Sequence, residues 1–228
     1  GNVAQNQVER LNSIQEFQTR INNAATPETI WKKETVNATS GVRTVYYYLS
    51  EYEKSKGRYA TVMTYRADGT LSAMTGYTYN TYGTQTNVRK TDYVVKYDAA
   101  GTSISSVEKY LYDANGDKSI YAKKVSTSAN IQIYEYVAGT TRTQSYYEYK
   151  FSDGSFVKRD YYVYDDNNKV NWKLTDSTAY STYKLYEYDA TTGKNIRTYD
   201  FRKSDKTLSQ ETGYLWYKDP VTSKDVQL

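Results

Sequence analysis

The chain contains no cysteine, and this absence removes several kinds of chemistry at once. Disulfide bonds, thiolate nucleophiles and metal sites built on sulfur are all excluded. Histidine is absent as well. Without imidazole there is no Ser-His or Cys-His nucleophile pair, no imidazole-based zinc-water site, and no side chain that readily exchanges protons near neutral pH. An enzyme made from this sequence would have to rely on carboxylates, Tyr, Lys or Ser.

Long hydrophobic runs are also missing. No segment approaches the roughly 20 consecutive apolar residues of a membrane helix, so we expect no transmembrane segment. The 30 Lys and Arg residues are scattered among 26 Asp and Glu residues, a mixture that predicts no nucleic-acid partner. We expect a secreted or cell-surface protein from which a signal peptide has been removed.

Tyrosine is what the chain has in excess, with 29 Tyr residues among 228. Leu, Ile, Val and Phe together make up only about a sixth of the sequence. A tyrosine buries a large apolar ring and keeps its hydroxyl in water or in a hydrogen bond. The composition therefore predicts a shallow, amphiphilic core, which fits a thin sheet better than a thick globule.

Helical spacing holds only near the start of the chain. Over residues 3–23, the apolar residues Leu11, Ile14, Phe17 and Ile21 fall on one side of a helix. We expect residues 1–30 to form an amphipathic helix packed on a sheet. Residues 31–228 are then predicted to form a Tyr-rich β-meander, and the two parts together are predicted to make a single domain.

Turn signals recur along the rest of the chain, from Glu53 to Lys206. They are mostly about 11 to 15 residues apart, which leaves strands of about 7 to 10 residues. Sequential strands joined by such short loops pair antiparallel with their neighbours. The prediction is an all-β fold with one N-terminal α-helix, in which about a dozen strands form a long antiparallel meander that is extended or partly curled.

Four segments repeat one motif, Tyr-x-Tyr-Asp-x-x-Gly, complete or in part. They are Val95–Gly101, Tyr110–Gly116, Tyr162–Asn168 and Tyr186–Asp189, the last followed by Gly193. These segments resemble the YD repeat of the Rhs and teneurin class of extracellular β-shells, in a degenerate form. The chain is also similar in size to small secreted Bacteroidetes proteins of unknown function. The resemblance implies an extracellular β-repeat fold, but a closed shell that encloses a toxin would need many more repeats.

The candidate binding residues are aromatic side chains on the predicted strands. Aromatic rings on a sheet can form a stacking surface for sugars or for protein partners. No metal site is predicted, because Asp113, Asn115 and Asp117 lack the rest of a calcium-loop pattern, and no cofactor is predicted. The candidate residues are Tyr147, Tyr149, Tyr162, Tyr164, Trp172, Tyr186 and Tyr188.

These observations predict a non-catalytic secreted or cell-surface protein that acts as a binding or structural module through a Tyr-rich sheet surface. Its partner would be an extracellular polysaccharide or protein, and self-association through open sheet edges is a further expectation. One alternative is a carboxylate-dependent enzyme that acts on glycans. The other is an outer-membrane β-barrel, which also uses alternating strands rich in Tyr.

Overall fold

The computed structural model describes residues 31–227. The helix predicted over residues 3–23, and its packing on the sheet, therefore lie outside the described residues. The described part contains the following elements: β1 (Trp31–Val36), β2 (Arg43–Tyr48), α1 (Glu51–Ser55), β3 (Thr61–Tyr65), β4 (Leu71–Thr81), β5 (Arg89–Tyr97), β6 (Ile104–Tyr112), β7 (Lys118–Val125), β8 (Asn130–Tyr136), β9 (Thr143–Lys150), β10 (Phe156–Tyr164), β11 (Val170–Ser177), β12 (Thr182–Tyr188), β13 (Asn195–Arg202), β14 (Leu208–Gly213), β15 (Trp216–Lys218) and β16 (Asp225–Gln227).

Strands β1 to β14 form one antiparallel sheet in which the order in space is the order in sequence. The predicted meander is thus confirmed, with 14 strands in the sheet. The sheet is open, because β1 and β14 do not pair with each other. Strands β15 and β16 form a separate hairpin. That hairpin is attached to the start of β13 by a hydrogen bond of 2.8 Å from Trp216 Nε1 to the Asn195 carbonyl.

The hairpin turns explain why Asp and Gly recur in the sequence. In the turn between β6 and β7, Asp113 Oδ1 accepts hydrogen bonds from the backbone N–H groups of Asn115 and Asp117, at 2.9 and 3.0 Å. Gly116 closes this turn with a φ of 83°, a left-handed conformation that costs little only for glycine. Asn168 takes the same place between β10 and β11 with a φ of 62°. In both of these turns, the aspartate and the residue three positions later therefore define the turn locally.

The tyrosine before the turn aspartate ties neighbouring strands together. The Tyr112 hydroxyl donates to the Thr91 carbonyl at 2.8 Å, and the Tyr164 hydroxyl donates to the Thr143 carbonyl at 2.5 Å. In both cases the acceptor lies 21 residues earlier in the chain, on the preceding strand. The repeated Tyr-Asp pair thus has two structural roles. The tyrosine links its own strand to the preceding strand, and the aspartate carboxylate closes the turn.

One face of the sheet carries most of the buried aliphatic side chains, and we call it the core face. Val95, Ile131 and Ile133 on this face are 0% exposed. They belong to a buried cluster that runs from β4 to β9, with Met74 at one end and Tyr149 at the other. We call the opposite face the tyrosine face, because a row of Tyr side chains crosses it.

The described part of the chain contains a single, short helix. Helix α1 lies at the turn predicted near Glu53 and is capped by Ser50, whose hydroxyl accepts from the Glu53 N–H at 3.1 Å. An ion pair of 2.7 Å between Arg58 Nε and the Glu53 carboxylate closes the same loop. Within residues 31–227, no helix has the length and apolar character needed to cross a membrane.

Candidate binding face

Four tyrosines form a row across the tyrosine face, one on each of the strands β6 to β9. The strand register pairs Tyr110 with Tyr121, Tyr121 with Tyr134, and Tyr134 with Tyr146. Successive ring centroids lie 5.2, 5.8 and 4.9 Å apart. We call these four side chains the tyrosine row. Their rings are half-buried, so each one packs against its neighbours and keeps part of its surface open to solvent.

The hydroxyl groups at the two ends of the tyrosine row, those of Tyr110 and Tyr146, are held by neighbouring polar residues. The Tyr110 hydroxyl donates to Glu108 at 2.9 Å, and the Tyr146 hydroxyl donates to Glu148 at 2.8 Å. Gln132 Nε2 donates to the Tyr146 oxygen at 3.0 Å. Burial raises the pKa of Tyr110 and of Tyr146, and the hydrogen bond to each glutamate raises the pKa further. Burial also raises the pKa of Tyr121 and Tyr134, so the row is neutral at physiological pH, and the hydroxyl groups at its two ends are fixed in orientation.

Next to the tyrosine row lies an acidic side chain, Asp160 on β10, which pairs in register with Tyr146. Asp160 is 3% exposed. Its carboxylate is satisfied by Lys158 Nζ at 3.0 Å and by the Thr175 hydroxyl, which donates at 2.5 Å. An open depression of about 340 Å³ lies here, lined by Tyr134, Thr143, Tyr146, Asp160, Tyr162, Tyr164 and Val170.

Beyond the depression, the tyrosine face continues over β11 and β12. Lys173 lies between Tyr162 on β10 and Tyr186 on β12 in the strand register. The Lys173 ammonium sits 4.4 Å from the centroid of the Tyr186 ring. Burial lowers the pKa of Lys173 and, together with the nearby charge of Asp160, raises the pKa of Tyr162 to about 12. This end of the face thus combines aromatic rings with a partly desolvated cation.

The structure divides the predicted binding residues between the two faces. Tyr162, Tyr164, Tyr186 and Tyr188 follow the strand alternation of the tyrosine face. Tyr162 and Tyr164 line the depression, and Tyr186 and Tyr188 lie on β12. Trp172 lies on the core face instead, where its ring centroid is 6.2 Å from that of Tyr199.

Tyr147 and Tyr149 belong to the buried cluster, with exposures of 7% and 8%. Strand β9 reads Tyr-Tyr-Glu-Tyr and so carries rings on both of its faces. The alternation of side chains along β9 could not show which of its two sets of rings is covered. A surface site at this strand therefore uses Tyr146 in place of Tyr147 and Tyr149.

Tyr134, Asp160 and Lys173 also belong to this face and were not among the predicted binding residues. A signal for the tyrosine row was present, since each of the strands β6 to β9 carries a Tyr that register brings into line. Asp160 and Lys173 gave no signal, because an acid and a lysine inside strands rich in charge look like ordinary exposed positions. Only their burial and partners distinguish them.

The Asp113 loop, which has part of a calcium-loop spacing, closes its own turn. Its carboxylate accepts two backbone N–H groups, as an Asp in a hairpin turn commonly does. Among residues 31–227, no group of three or more acidic side chains is placed to hold a metal ion.

No protein-family model matches the chain, and no curated protein matches it either. Among solved structures it is similar to a porin-like protein from Bacteroides uniformis, with 11% identity and a TM-score of 0.30 over 89% of this chain and 95% of that one. It is also similar to a chain in the structure of TcdB2-TccC3-TEV, with 13% identity and a TM-score of 0.26 over 90% of this chain and 12% of that one. Likenesses this weak carry no argument, so the candidate face rests on its own geometry.

Proposed function

We propose that the protein is a secreted or cell-surface binding module without catalytic activity, and that its tyrosine face receives an extended polysaccharide. The observation that supports this most is the tyrosine row, in which four half-buried rings stand in register across four adjacent strands. A ladder of this kind offers one stacking surface after another along a line. That arrangement suits a chain-like ligand better than a compact one.

The spacing of the rings supports a sugar chain in particular. Neighbouring strands lie about 4.8 Å apart, so the sheet itself sets the ring spacing to roughly the length of one sugar unit in an extended glycan. Beside the rings, the half-buried Gln132 and Glu148 offer an amide and a carboxylate to sugar hydroxyls. Because packing already restricts these side chains, binding would cost little further ordering.

The repeat motif supports placing the protein outside the cell. The motif aspartates Asp98, Asp113, Asp165 and Asp189 all close hairpin turns of the same sheet. We infer a degenerate YD-repeat protein, and we take secretion or surface display from that resemblance.

The test is binding to glycans by affinity electrophoresis and by array, with the wild type and a Tyr121→Ala, Tyr134→Ala double variant. We expect the double variant to lose most of its binding, because the two central stacking surfaces are removed. Tyr217→Ala is the matched control, since Tyr217 lies on the separate hairpin and is 43% exposed. Circular dichroism would establish that both variants are folded. Unchanged binding in a folded double variant would contradict the proposal.

A second function, self-association, is favoured by the two outer strands of the open sheet. Among residues 31–227, strands β1 and β14 each pair on one side only, and unpaired strand edges accept further strands. Lys32 and Lys33 on β1 are exposed charges that oppose this, whereas β14 carries a single charged residue, Glu211. Sedimentation velocity over a range of concentrations tests it. A monomer at all concentrations would exclude self-association as the function.

The absence of catalysis is tested with the same glycans. We expect no new reducing ends after prolonged incubation with the protein. Turnover that disappears in Asp160→Asn but remains in Asp200→Asn would instead establish an enzyme that uses the carboxylate in the depression.

A further inference from the structure

The tyrosine face contains one lysine that lacks an acidic partner between two that have one. Lys158 pairs with Asp160 at 3.0 Å, and Lys184 pairs with Asp200 at 2.8 Å. Lys173 lies on the strand between them. In the described part of the chain, no carboxylate oxygen reaches ion-pair distance from Lys173, and its contact is the Tyr186 ring at 4.4 Å. Asp160 and Asp200 thus balance the charges of Lys158 and Lys184, whereas no ion pair balances the charge of Lys173.

Lys173 is also partly removed from water. It is half-buried, with Tyr162 and Tyr186 as its register neighbours on either side. Burial lowers its pKa, the negative charge of Asp160 acts in the opposite direction, and the charge of Lys158 adds to the lowering. A cation that is partly desolvated and unpaired is unfavourable in the free protein, and an anion placed beside it would relieve that cost.

We propose that Lys173 binds the carboxylate of a uronic acid unit in an acidic glycan whose sugar chain lies along the tyrosine row. This inference rests on the proposed function and deepens it, because it names the class of sugar. The ligand must be anionic where it meets Lys173 and able to stack where it meets the rings. A uronic acid has both properties in one unit, with the carboxylate attached to the sugar ring.

The layout of the face fits such a chain. From β6, which carries Tyr110, to β11, which carries Lys173, there are five strand spacings of about 4.8 Å, or roughly 24 Å in all. The depression beside Tyr162 lies between the tyrosine row and Lys173 and leaves room for a sugar ring. Asp160 does not present a free negative charge there, because Lys158 and Thr175 already occupy its oxygens.

The experiment measures calorimetric affinity for an oligogalacturonate and for its fully methyl-esterified form, in which each negative carboxylate is replaced by a neutral methyl ester. The variants are Lys173→Gln, Lys173→Arg and Lys32→Gln. The last is the control for net charge, because Lys32 is exposed on edge strand β1 and belongs to the core-face register. We expect Lys173→Gln to lose roughly tenfold or more in affinity for the acid form, the loss typical of a removed hydrogen bond to a charged group. Lys32→Gln should bind like the wild type, and Lys173→Arg should keep most of the affinity.

The ester provides the second half of the test. The wild type should bind the ester about as weakly as Lys173→Gln binds the acid form, and Lys173→Gln should not distinguish the two.

If the wild type binds acid and ester equally and Lys173→Gln has no effect, the inference is wrong while the proposed function stands. Equal losses in Lys173→Gln and Lys32→Gln would mean general charge attraction and would also overturn it. If a sulfated glycan binds through Lys173 and the oligogalacturonate does not, the uronic acid assignment is wrong. If the wild type binds no glycan at all, the proposed function fails together with the inference.

Discussion

The core face differs sharply between two regions of the same sheet. From β4 to β9 it is buried, and Ile131 and Ile133 have no exposed surface. From β10 to β13 the same face carries Val163 and Leu174, each 41% exposed. The strands pair with continuous antiparallel neighbours throughout, so hydrogen bonding does not account for the difference. Apolar alternation therefore shows which side chains share a face of the sheet, but it does not show whether that face is covered.

Arg159 on β10 lies where the covered and the open region meet. Its guanidinium is 5.3 Å from the ring centroid of Tyr147 on β9, and also 5.3 Å from that of Tyr161 on its own strand. One of its terminal nitrogens donates to the Ser145 hydroxyl at 3.2 Å. A charged group stacked between two rings thus ends the aliphatic cluster and begins the open apolar surface.

The largest expected effect is a loss of stability in the covered region. We expect Ile133→Ala to lower the free energy of unfolding by about 2–5 kcal/mol, because a fully buried side chain leaves a cavity. Leu174→Ala, on the same face of the open region, should cost under about 1 kcal/mol, since much of its side chain is already in water. Urea denaturation followed by circular dichroism measures both. Similar losses for the two variants would show that the open region is as well packed as the covered one.

A smaller effect is expected at the buried acid where the two regions meet. Asp160→Ala removes the acceptor of Lys158 and Thr175, and we expect a loss of about 1–3 kcal/mol in the free energy of unfolding. Asp200→Ala, its counterpart on β13, should cost about 1 kcal/mol or less, because the Asp200 carboxylate is more exposed than that of Asp160. The same denaturation measurements apply. The prediction is that Asp160→Ala loses more stability than Asp200→Ala, and the reverse order would contradict it.

Two turn glycines with positive φ angles, Gly116 in the covered region and Gly193 in the open region, allow the same substitution to be compared in the two regions. Gly116 and Gly193 have φ angles of 83° and 70°, so alanine at either position is strained by about 1–2 kcal/mol. At Gly116 a new Cβ would also lie 2.8 Å from the Tyr82 ring, whereas nothing lies within 4 Å at Gly193. We therefore expect Gly116→Ala to lower the thermal midpoint more than Gly193→Ala. Equal shifts would indicate that Tyr82 moves aside freely.

The smallest effect concerns pH and should be alike in both regions. Backbone N–H groups, led by those of Thr102 and Thr192, hold the pKa values of Asp98 and Asp189 below the usual value for aspartate. A lowered pKa in the folded state stabilises the protein above the unfolded pKa of about 3.9, and this contribution is lost as the pH falls toward the folded value.

The measurement compares denaturation midpoints at pH 7 and pH 3. Asp98→Asn, in the covered region, and Asp189→Asn, in the open region, should each lose less stability on acidification than the wild type does, and by similar amounts. A reduction at only one of the two turns would show that the turns themselves differ between the regions.

The order of the strands was predictable from the sequence because the information that sets it is local. A turn depends on an aspartate that binds its own backbone and on a glycine or asparagine with positive φ, as at Asp113 and Gly116. Short loops then leave antiparallel pairing with the next strand as the available topology. The meander and the position of each hairpin follow from these residues without knowledge of any distant contact.

Which ring is covered, and which charge is paired, was decided only by the tertiary structure. Tyr146 and Tyr147 are adjacent and chemically identical, yet one belongs to the tyrosine row and the other to the buried cluster. Lys158 and Lys173 are likewise similar in sequence context, but only Lys158 has an acid within reach. Burial and pairing depend on side chains from several strands brought together by register, and a strand's own sequence cannot contain that information.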